Sequence, residues 1–124
     1  MGSTKRVLVV DDNKDMVTTT VELLRAMGHE VRGCDNAVDV ITCVDEFAPD
    51  VVIMDLAMPG VSGWNAAQMI RERYPKPPLL IAVTGEYRGG ADRILSHIAG
   101  FDHYILKPAH PSVLEKIIAG APNK

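Results

Sequence analysis

The sequence lacks the features that mark membrane, secreted and nucleic-acid-binding proteins. No apolar run approaches the ~18 residues of a membrane span, and no charged segment followed by an apolar one predicts a signal peptide. The net charge is -3 and the isoelectric point is near 5.7, so direct nucleic-acid binding is not expected. Only two cysteines occur, Cys34 and Cys43, without the spacing of a zinc or redox motif. They predict two reduced, packed thiols and a cytoplasmic protein.

An ordinary globular composition is present on a short chain. The 124 residues are 47 % hydrophobic and 23 % charged, which suits one domain with its own core. No internal repeat, linker or low-complexity segment divides the chain. We predict one domain over residues 5–120, preceded by a disordered or cloning-derived N-terminus at 1–4 and followed by a tail at 121–124.

Apolar runs and helical spacings alternate along the chain. The predicted strands lie at residues 5–10, 30–34, 51–54, 79–83 and 102–106. The predicted helices lie at residues 14–27, 36–48 with Asn36 as N-cap, 64–74, 91–98 and from 111 onward. This alternation predicts an α/β fold, a doubly wound five-stranded parallel sheet of order 2-1-3-4-5 with five helices on its two faces. Ligands of such sheets bind at the carboxyl ends of the strands, here between strands 1 and 3.

Carboxylates follow the first and third predicted strands, between which the ligand is expected to bind. Asp11 and Asp12 come after the first strand, and Asp55 comes after the third. Neighbouring strands lie ~4.8 Å apart, so we expect three carboxylates in one crevice, where their repulsion requires a cation. Oxygen ligands, including the carbonyl of Ala57, favour Mg²⁺, for which Mn²⁺ could substitute. The alternative is that Asp11 and Asp12 only cap the first helix and that Asp55 only caps its own turn.

A hydroxyl group and an ammonium group follow the next two strands. Thr84 ends the fourth strand and Lys107 follows the fifth. Phosphoryl transfer onto an aspartate needs a carboxylate nucleophile, a metal, a hydroxyl donor and a lysine, because charge on the equatorial oxygens must be matched. Taken singly, Thr84 is as well explained as a helix cap, and Lys107 as a solvated loop residue. Together with the acids they indicate phosphoryl transfer to Asp55.

These residues stand in segments that resemble the receiver domain of two-component response regulators. In the family's order and spacing, the segments are Val9-Val10-Asp11-Asp12-Asn13, Met54-Asp55-Leu56-Ala57-Met58-Pro59-Gly60 with Gly63, Val83-Thr84-Gly85, and Tyr104-Ile105-Leu106-Lys107-Pro108. The resemblance implies that Asp55 accepts a phosphoryl group from a phosphohistidine on a sensor kinase or phosphotransfer protein. It also implies that Asp12, Asp55 and the Ala57 carbonyl ligate Mg²⁺, while Asp11 acts through the metal's water shell.

The resemblance assigns further roles near the fifth strand. Thr84 and Lys107 would each bind a phosphoryl oxygen, and the Lys107-Pro108 bond would be cis. Thr84 and Tyr104 would form a switch, since strand alternation sends Tyr104 to the face opposite Lys107. The surface around the predicted helix 91–98, the fifth strand and the last helix would bind an effector or a second, phosphorylated copy. The alternative for Tyr104 is simple packing with its hydroxyl in water.

Two residues near the predicted site, the histidines and the end of the chain give further expectations. Ala57 lacks a polar side chain and Glu86 carries one, so we expect this pair to influence how long the acyl phosphate lasts. The four histidines, none of which resembles a phosphorelay histidine, are expected at solvated surface positions. Because the chain ends at Lys124 soon after the last predicted helix, we expect either a stand-alone receiver or one domain of a hybrid kinase or larger regulator.

Three other functions compete with this interpretation. A haloacid-dehalogenase-type phosphohydrolase also uses Asp, Thr, Lys and Mg²⁺, but its nucleophile lies in an Asp-x-Asp motif, whereas Asp11 and Asp12 are adjacent here. A flavodoxin-like electron carrier would need a phosphate-cradling loop, and the loop after the first strand is acidic. A receiver-like module that is never phosphorylated would not need the complete acceptor set. We therefore expect a signalling receiver that catalyses only its own phosphorylation and dephosphorylation.

Overall fold

The computed structural model describes most of the chain. The described residues are 4–36, 38–56, 63–85, 100–107 and 109–121. In chain order the elements are β1 (Arg6–Val10), α1 (Lys14–Ala26), β2 (Glu30–Cys34), α2 (Val40–Phe47), β3 (Val51–Asp55), α3 (Gly63–Arg73), β4 (Leu79–Thr84), β5 (His103–Leu106) and α4 (Pro111–Ala119). The predicted helix at 91–98 lies outside the described residues. Within the described part of the chain, no helix is long and apolar enough to cross a bilayer.

The five strands form one sheet of order β2-β1-β3-β4-β5, and every pairing is parallel. This confirms the predicted fold class. β3 is buried along its whole length, as a central strand covered on both faces must be. Val10 pairs with Met54, so the carboxyl ends of β1 and β3 lie side by side.

Two apolar clusters cover the two faces of the sheet. The α2/α3 cluster includes Leu8, Val10, Val44, Phe47, Met54, Ile70, Leu80 and Phe101. The α1/α4 cluster includes Val7, Val9, Val17, Val21, Leu24, Ile53, Ile81, Leu114 and Ile118. Alternate residues of one strand enter different clusters because successive strand side chains point to opposite faces. The helices therefore lie on both faces, as the predicted doubly wound fold requires.

The start of α2 differs from the prediction. Asp39, and not Asn36, is the N-cap, and the helix runs from Val40 to Phe47. The Asn36 side chain accepts the Asp39 N–H at 2.9 Å and so holds a turn that precedes the helix. α2 ends at Ala48, whose φ of 50° is left-handed.

Two histidines interact with α4, one with a side chain of the helix and one as its N-cap. His29 is only 7 % exposed, so the prediction of a solvated position was wrong for this residue. Its Nδ1 accepts the Lys5 N–H at 3.1 Å, and its Nε2 lies 2.8 Å from a Glu115 carboxylate oxygen. A ring nitrogen that accepts carries no proton, so Nε2–H donates to Glu115. His110 is the N-cap of α4, and its Nδ1 accepts the Ser112 N–H at 3.1 Å.

A set of polar contacts fixes the entrance to β5. Arg71 donates to the Gly100 carbonyl at 2.8 Å and pairs with the Asp102 carboxylate at 2.7 Å. Asp102 also accepts the Leu80 N–H at 2.8 Å. Gly100 has a φ of +104°, and a Cβ there would lie 2.8 Å from Arg71 Cγ, so this position requires glycine. We call Arg71, Gly100 and Asp102 the β5 latch, because they set the register of β5 at its start.

α1 lies in close contact with β2. A Cβ at Gly33 would lie far inside van der Waals contact with Val17 Cγ1. Val17 is held in the α1/α4 cluster and has a stiff, β-branched side chain. The absence of a side chain at Gly33 therefore sets how closely α1 packs on the edge of the sheet.

Candidate functional site

The three predicted acids converge at the carboxyl edge of the sheet. Asp11 follows β1 and Asp55 ends β3, and ligand oxygens of Asp11, Asp12 and Asp55 lie within 4.8 Å of one another. Asp11 and Asp55 are 6 % and 7 % exposed, whereas Asp12 is exposed to solvent. Among the described residues, no other group of three or more His, Cys, Asp or Glu side chains gathers as closely. The sequence therefore predicted the position of this cluster correctly.

The N-terminus of α1 does not use these acids as its cap. Asn13 is the N-cap, and its side chain accepts the N–H groups of Asp15 and Met16 at 3.0 and 3.2 Å. The Asp11 carboxylate instead accepts the Asn13 N–H at 3.0 Å through one oxygen. The alternative in which Asp11 and Asp12 only cap the first helix is therefore wrong, since a neighbouring residue performs that task.

Lys107 bridges two of the carboxylates. Its ammonium nitrogen lies 2.8 Å from Asp11 Oδ2 and 3.3 Å from Asp55 Oδ2, and its side chain is 22 % exposed. Burial lowers the pKa of Lys107, but the hydrogen bond and charge of Asp11 and the charge of Asp55 outweigh it. The pKa of Lys107 therefore lies above its ordinary value, and the residue is a fixed cation at neutral pH.

Among the described residues, the charges of the site do not balance. Three carboxylates face one ammonium group, which leaves a net charge of two negative units in a half-buried crevice. A small divalent cation would neutralise that excess, and oxygen ligands are what Mg²⁺ and Mn²⁺ prefer. The observed donor set therefore fits a hard divalent metal ion. It does not fit zinc as well, because the described cluster contains no nitrogen or sulfur ligand.

Thr84 and Lys107 are joined through the backbone. Thr84 ends β4 and is 4 % exposed, and its carbonyl accepts the Lys107 N–H at 2.7 Å. Asp55 pairs with Val83 in the register of β3 and β4, so Thr84 stands one residue beyond that pair. The sheet register thus brings the hydroxyl residue, the lysine and the acids to one edge.

The remaining predicted site residues divide between described and undescribed positions. Tyr104 packs against the α2/α3 cluster, whereas its neighbour Ile105 packs against the α1/α4 cluster on the other face. Ala57, Glu86 and Pro108 lie outside the described residues, as does the predicted cis bond.

Two features of the site were not anticipated from the sequence. Asn13 caps α1, which leaves the carboxylates of Asp11 and Asp12 available to the site. An asparagine directly before the first helical residue, Lys14, could have been identified as the cap from the sequence. A cavity of about 160 Å³ also adjoins Asp55 and Lys107, with Val9, Ile53 and Leu114 among its walls. No local pattern could predict this cavity, because it depends on how far apart α1 and α4 pack.

Comparison with known proteins agrees with this geometry. The family model of the response regulator receiver domain matches residues 7–119. The CAI-1 autoinducer sensor kinase/phosphatase CqsS of Vibrio cholerae is 34 % identical over 118 residues, which cover 93 % of this chain and 17 % of that protein. The DNA-binding response regulator MtrA of Mycobacterium tuberculosis is 29 % identical over 110 residues, or 89 % of this chain and 47 % of that one. The chain spans less than half the length of these relatives.

Solved structures give the same result. A CheY-like response regulator receiver domain protein from Methanospirillum hungatei is 30 % identical, with a TM-score of 0.82 over 93 % of this chain and 91 % of that chain. A response regulator receiver domain protein from Clostridium thermocellum is 29 % identical, with a TM-score of 0.81 over 91 % and 90 % of the two chains. Both matches therefore cover more than nine-tenths of this chain.

Proposed function

The chain belongs to the response regulator receiver domain family, and from that premise we propose that Asp55 accepts a phosphoryl group from a phosphohistidine. The donor would be a sensor histidine kinase or a histidine phosphotransfer protein, since receiver domains partner with histidine kinases. One observation carries the proposal: the carboxylates of Asp11, Asp12 and Asp55 gather within 4.8 Å, and Lys107 bridges two of them. The domain is a signalling module, and we propose that the only reactions it catalyses are its own phosphorylation and dephosphorylation.

In the proposed transfer, a carboxylate oxygen of Asp55 attacks phosphorus while the phosphorus–nitrogen bond to the donor imidazole breaks. The electron pair of that bond returns to the imidazole nitrogen, and an acyl phosphate remains on Asp55. Lys107, 3.3 Å from Asp55 Oδ2, is close enough to exchange that contact for one to a phosphoryl oxygen. The burial of Asp55 limits the access of bulk water to the acyl phosphate.

Asp11, Asp12 and Asp55 would hold Mg²⁺ or Mn²⁺, together with the Ala57 carbonyl, and Asp11 would act through the metal's water shell. The bound cation would offset the negative charge of the carboxylates and of the phosphoryl oxygens. Support for this assignment comes from the all-oxygen donor set and from the two negative charges that Lys107 does not neutralise.

Thr84 would donate its hydroxyl hydrogen to a phosphoryl oxygen, and Tyr104 would move with it to form the switch. Support comes from the burial of Thr84 at the end of β4 and from the backbone bond between Thr84 and Lys107. The surface that changes would be that of β5, α4 and the predicted helix at 91–98, where an effector or a second copy would bind.

Ala57 and Glu86 would influence the lifetime of the acyl phosphate, which dephosphorylation rates of variants at both positions would test. We place the functional domain at residues 5–120 and the protein in the cytoplasm.

Intact-mass measurement tests the acceptor directly. The native chain, Asp55→Asn and Asp12→Asn are incubated with acetyl phosphate, with Mg²⁺ or with EDTA. We expect one phosphoryl group on the native chain with Mg²⁺ only, none on Asp55→Asn, and a much slower gain on Asp12→Asn. A phosphoryl group on folded Asp55→Asn at the native rate would refute the assignment. Sustained hydrolysis of a generic phosphomonoester by the native chain would favour a phosphohydrolase instead.

A further inference from the structure

The two cysteines lie together where α2 packs against the end of β2. Cys34 ends β2 and is 5 % exposed, and Cys43 lies in the second turn of α2 and is half-buried. Both side chains line one cavity of about 390 Å³ at the edge of the sheet, and Cys43 is near enough to raise the pKa of the Cys34 thiol. The sequence spacing did not predict this contact, which the packing of α2 on the strand ends creates.

The surroundings of the pair define which ion it can take. Thiolate sulfur is a soft ligand that selects Cu(I), zinc and iron–sulfur clusters. A structural zinc site needs four ligands, and among the described residues no third His, Cys, Asp or Glu ligand atom gathers tightly with the two sulfurs. The charge of Asp39 influences Cys34, and the Asp39 carboxylate accepts a hydrogen bond from the Asn36 side-chain amide at 3.0 Å. Two sulfurs and an open cavity therefore suit an ion that is satisfied by two ligands.

We propose that Cys34 and Cys43 form a two-thiolate site for the soft monovalent ion Cu(I). Binding replaces both thiol protons, and the sulfur of Cys34 gives up its hydrogen bond to the Asn36 carbonyl, which is now 3.1 Å long. No oxidant or reductant is consumed, since the ion enters and leaves as Cu(I). The site uses none of the phosphoacceptor residues and does not rest on the proposed function.

Proton release gives the site a second signature. Burial raises the pKa of the Cys34 thiol, Cys43 adds to this effect, and a backbone hydrogen bond of Asn36 partly opposes it; the pKa is about 12. A metal ion must therefore displace tightly held protons, and its apparent affinity must increase as the pH increases. The same high pKa keeps the thiolate fraction small, so the metal-free pair is a poor nucleophile.

Anaerobic competition with a chromogenic Cu(I) chelator tests the proposal on the full chain. We expect one Cu(I) per native chain, with affinity that increases from pH 6 to pH 8. Cys34→Ser, which keeps a donor for the Asn36 carbonyl, and Cys43→Ser should each weaken binding by at least about a hundredfold, since even outer-shell changes cost about 10–100-fold. Asp55→Asn is the matched control and should bind Cu(I) like the native chain.

Two further readouts keep the result unambiguous. Phenylarsine oxide should add one phenylarsenic group per native chain, with both sulfurs bonded to arsenic and its oxygen lost as water, and should not stably modify either single-cysteine variant. If Cys34→Ser does not fold, Cys43→Ser decides, because loss of either thiol must abolish the site. Native-like Cu(I) affinity in folded Cys43→Ser, or no Cu(I) binding by the native chain, would overturn the proposal. Tighter binding of Zn²⁺ than of Cu(I) would also overturn it.

Discussion

Replacing Lys107 by methionine in metal-free solution should destabilise the fold and make it dependent on magnesium. At an effective dielectric constant of about 20, unit charges separated by 2.8 and 3.3 Å attract by about 6 and about 5 kcal/mol. The desolvation of the charged groups offsets part of this attraction. Removing one partner of a buried ion pair costs about 3–5 kcal/mol. Because the Lys107 side chain keeps 22 % exposure, we expect a loss of about 2–4 kcal/mol in the free energy of unfolding.

The experiment is urea unfolding of the native chain and of Lys107→Met, each in EDTA and in Mg²⁺. Methionine preserves most of the apolar stem and removes only the ammonium group. In the variant, Mg²⁺ takes the place of the Lys107 ammonium group as counter-ion of the three carboxylates, so its stabilising effect should exceed that on the native chain. Lys14→Met is the matched control: Lys14 is 83 % exposed and 3.8 Å from Asp35, and an exposed pair is worth about 0–1 kcal/mol.

Two results would refute this reasoning. A loss of stability in EDTA that is no larger for Lys107→Met than for Lys14→Met would mean that Lys107 is not the counter-ion of the acids. Equal stabilisation of the native chain and of Lys107→Met by Mg²⁺ would mean that the metal does not occupy the same carboxylates. The urea m-value must stay constant for either comparison to hold.

Three further predictions test the scaffold. The pKa of Cys34 is raised in the folded chain, so the folded chain holds this proton more tightly than the unfolded chain does. The resulting contribution to the free energy of unfolding is complete below about pH 8.5. From there towards the folded-state pKa, the free energy of unfolding falls by up to about 1.4 kcal/mol per pH unit. This loss, followed by urea unfolding at pH 7 to 10, should be absent from Cys34→Ser. Gly33→Ala should cost about 1–3 kcal/mol through its clash with Val17, and Val17→Ala in the same chain should recover part of that cost; independent, additive losses would contradict the contact. His110→Ala should cost about 0.5–2 kcal/mol by removing the cap of α4, whereas His110→Asn should cost less; equal losses in thermal unfolding would rule out the capping role.

The sheet and the acidic cluster could be predicted because they depend on short-range patterns and one general rule. Runs such as Val51 to Met54 are apolar on both faces only when a strand is central, and parallel strands bring their carboxyl ends to one edge. Asp11 and Asp55 follow directly from that rule. The rule about strand ends predicts only which residues lie at the same edge of the sheet. It does not predict that Lys107 contacts Asp11 more closely than Asp55.

Other features depended on competition between residues of similar chemistry, and there the sequence was a poorer guide. Asn13 and Asp12 are both good N-caps, and only the backbone conformation decides that Asn13 caps α1. Asn36 has the right chemistry for the cap of α2 but forms a turn with Asp39 instead. His29 is buried because Glu115, which lies 86 residues away in the chain, supplies a partner for its ring, and no local pattern contains that information.

The β5 latch has a consequence for engineering. Because Arg71 and Asp102 anchor Gly100 to α3 and β4, the point where the chain enters β5 is held by side-chain contacts. The latch should therefore be kept unchanged when β5 is engineered, since β5 leads the chain to Lys107 and its contacts with Asp11 and Asp55.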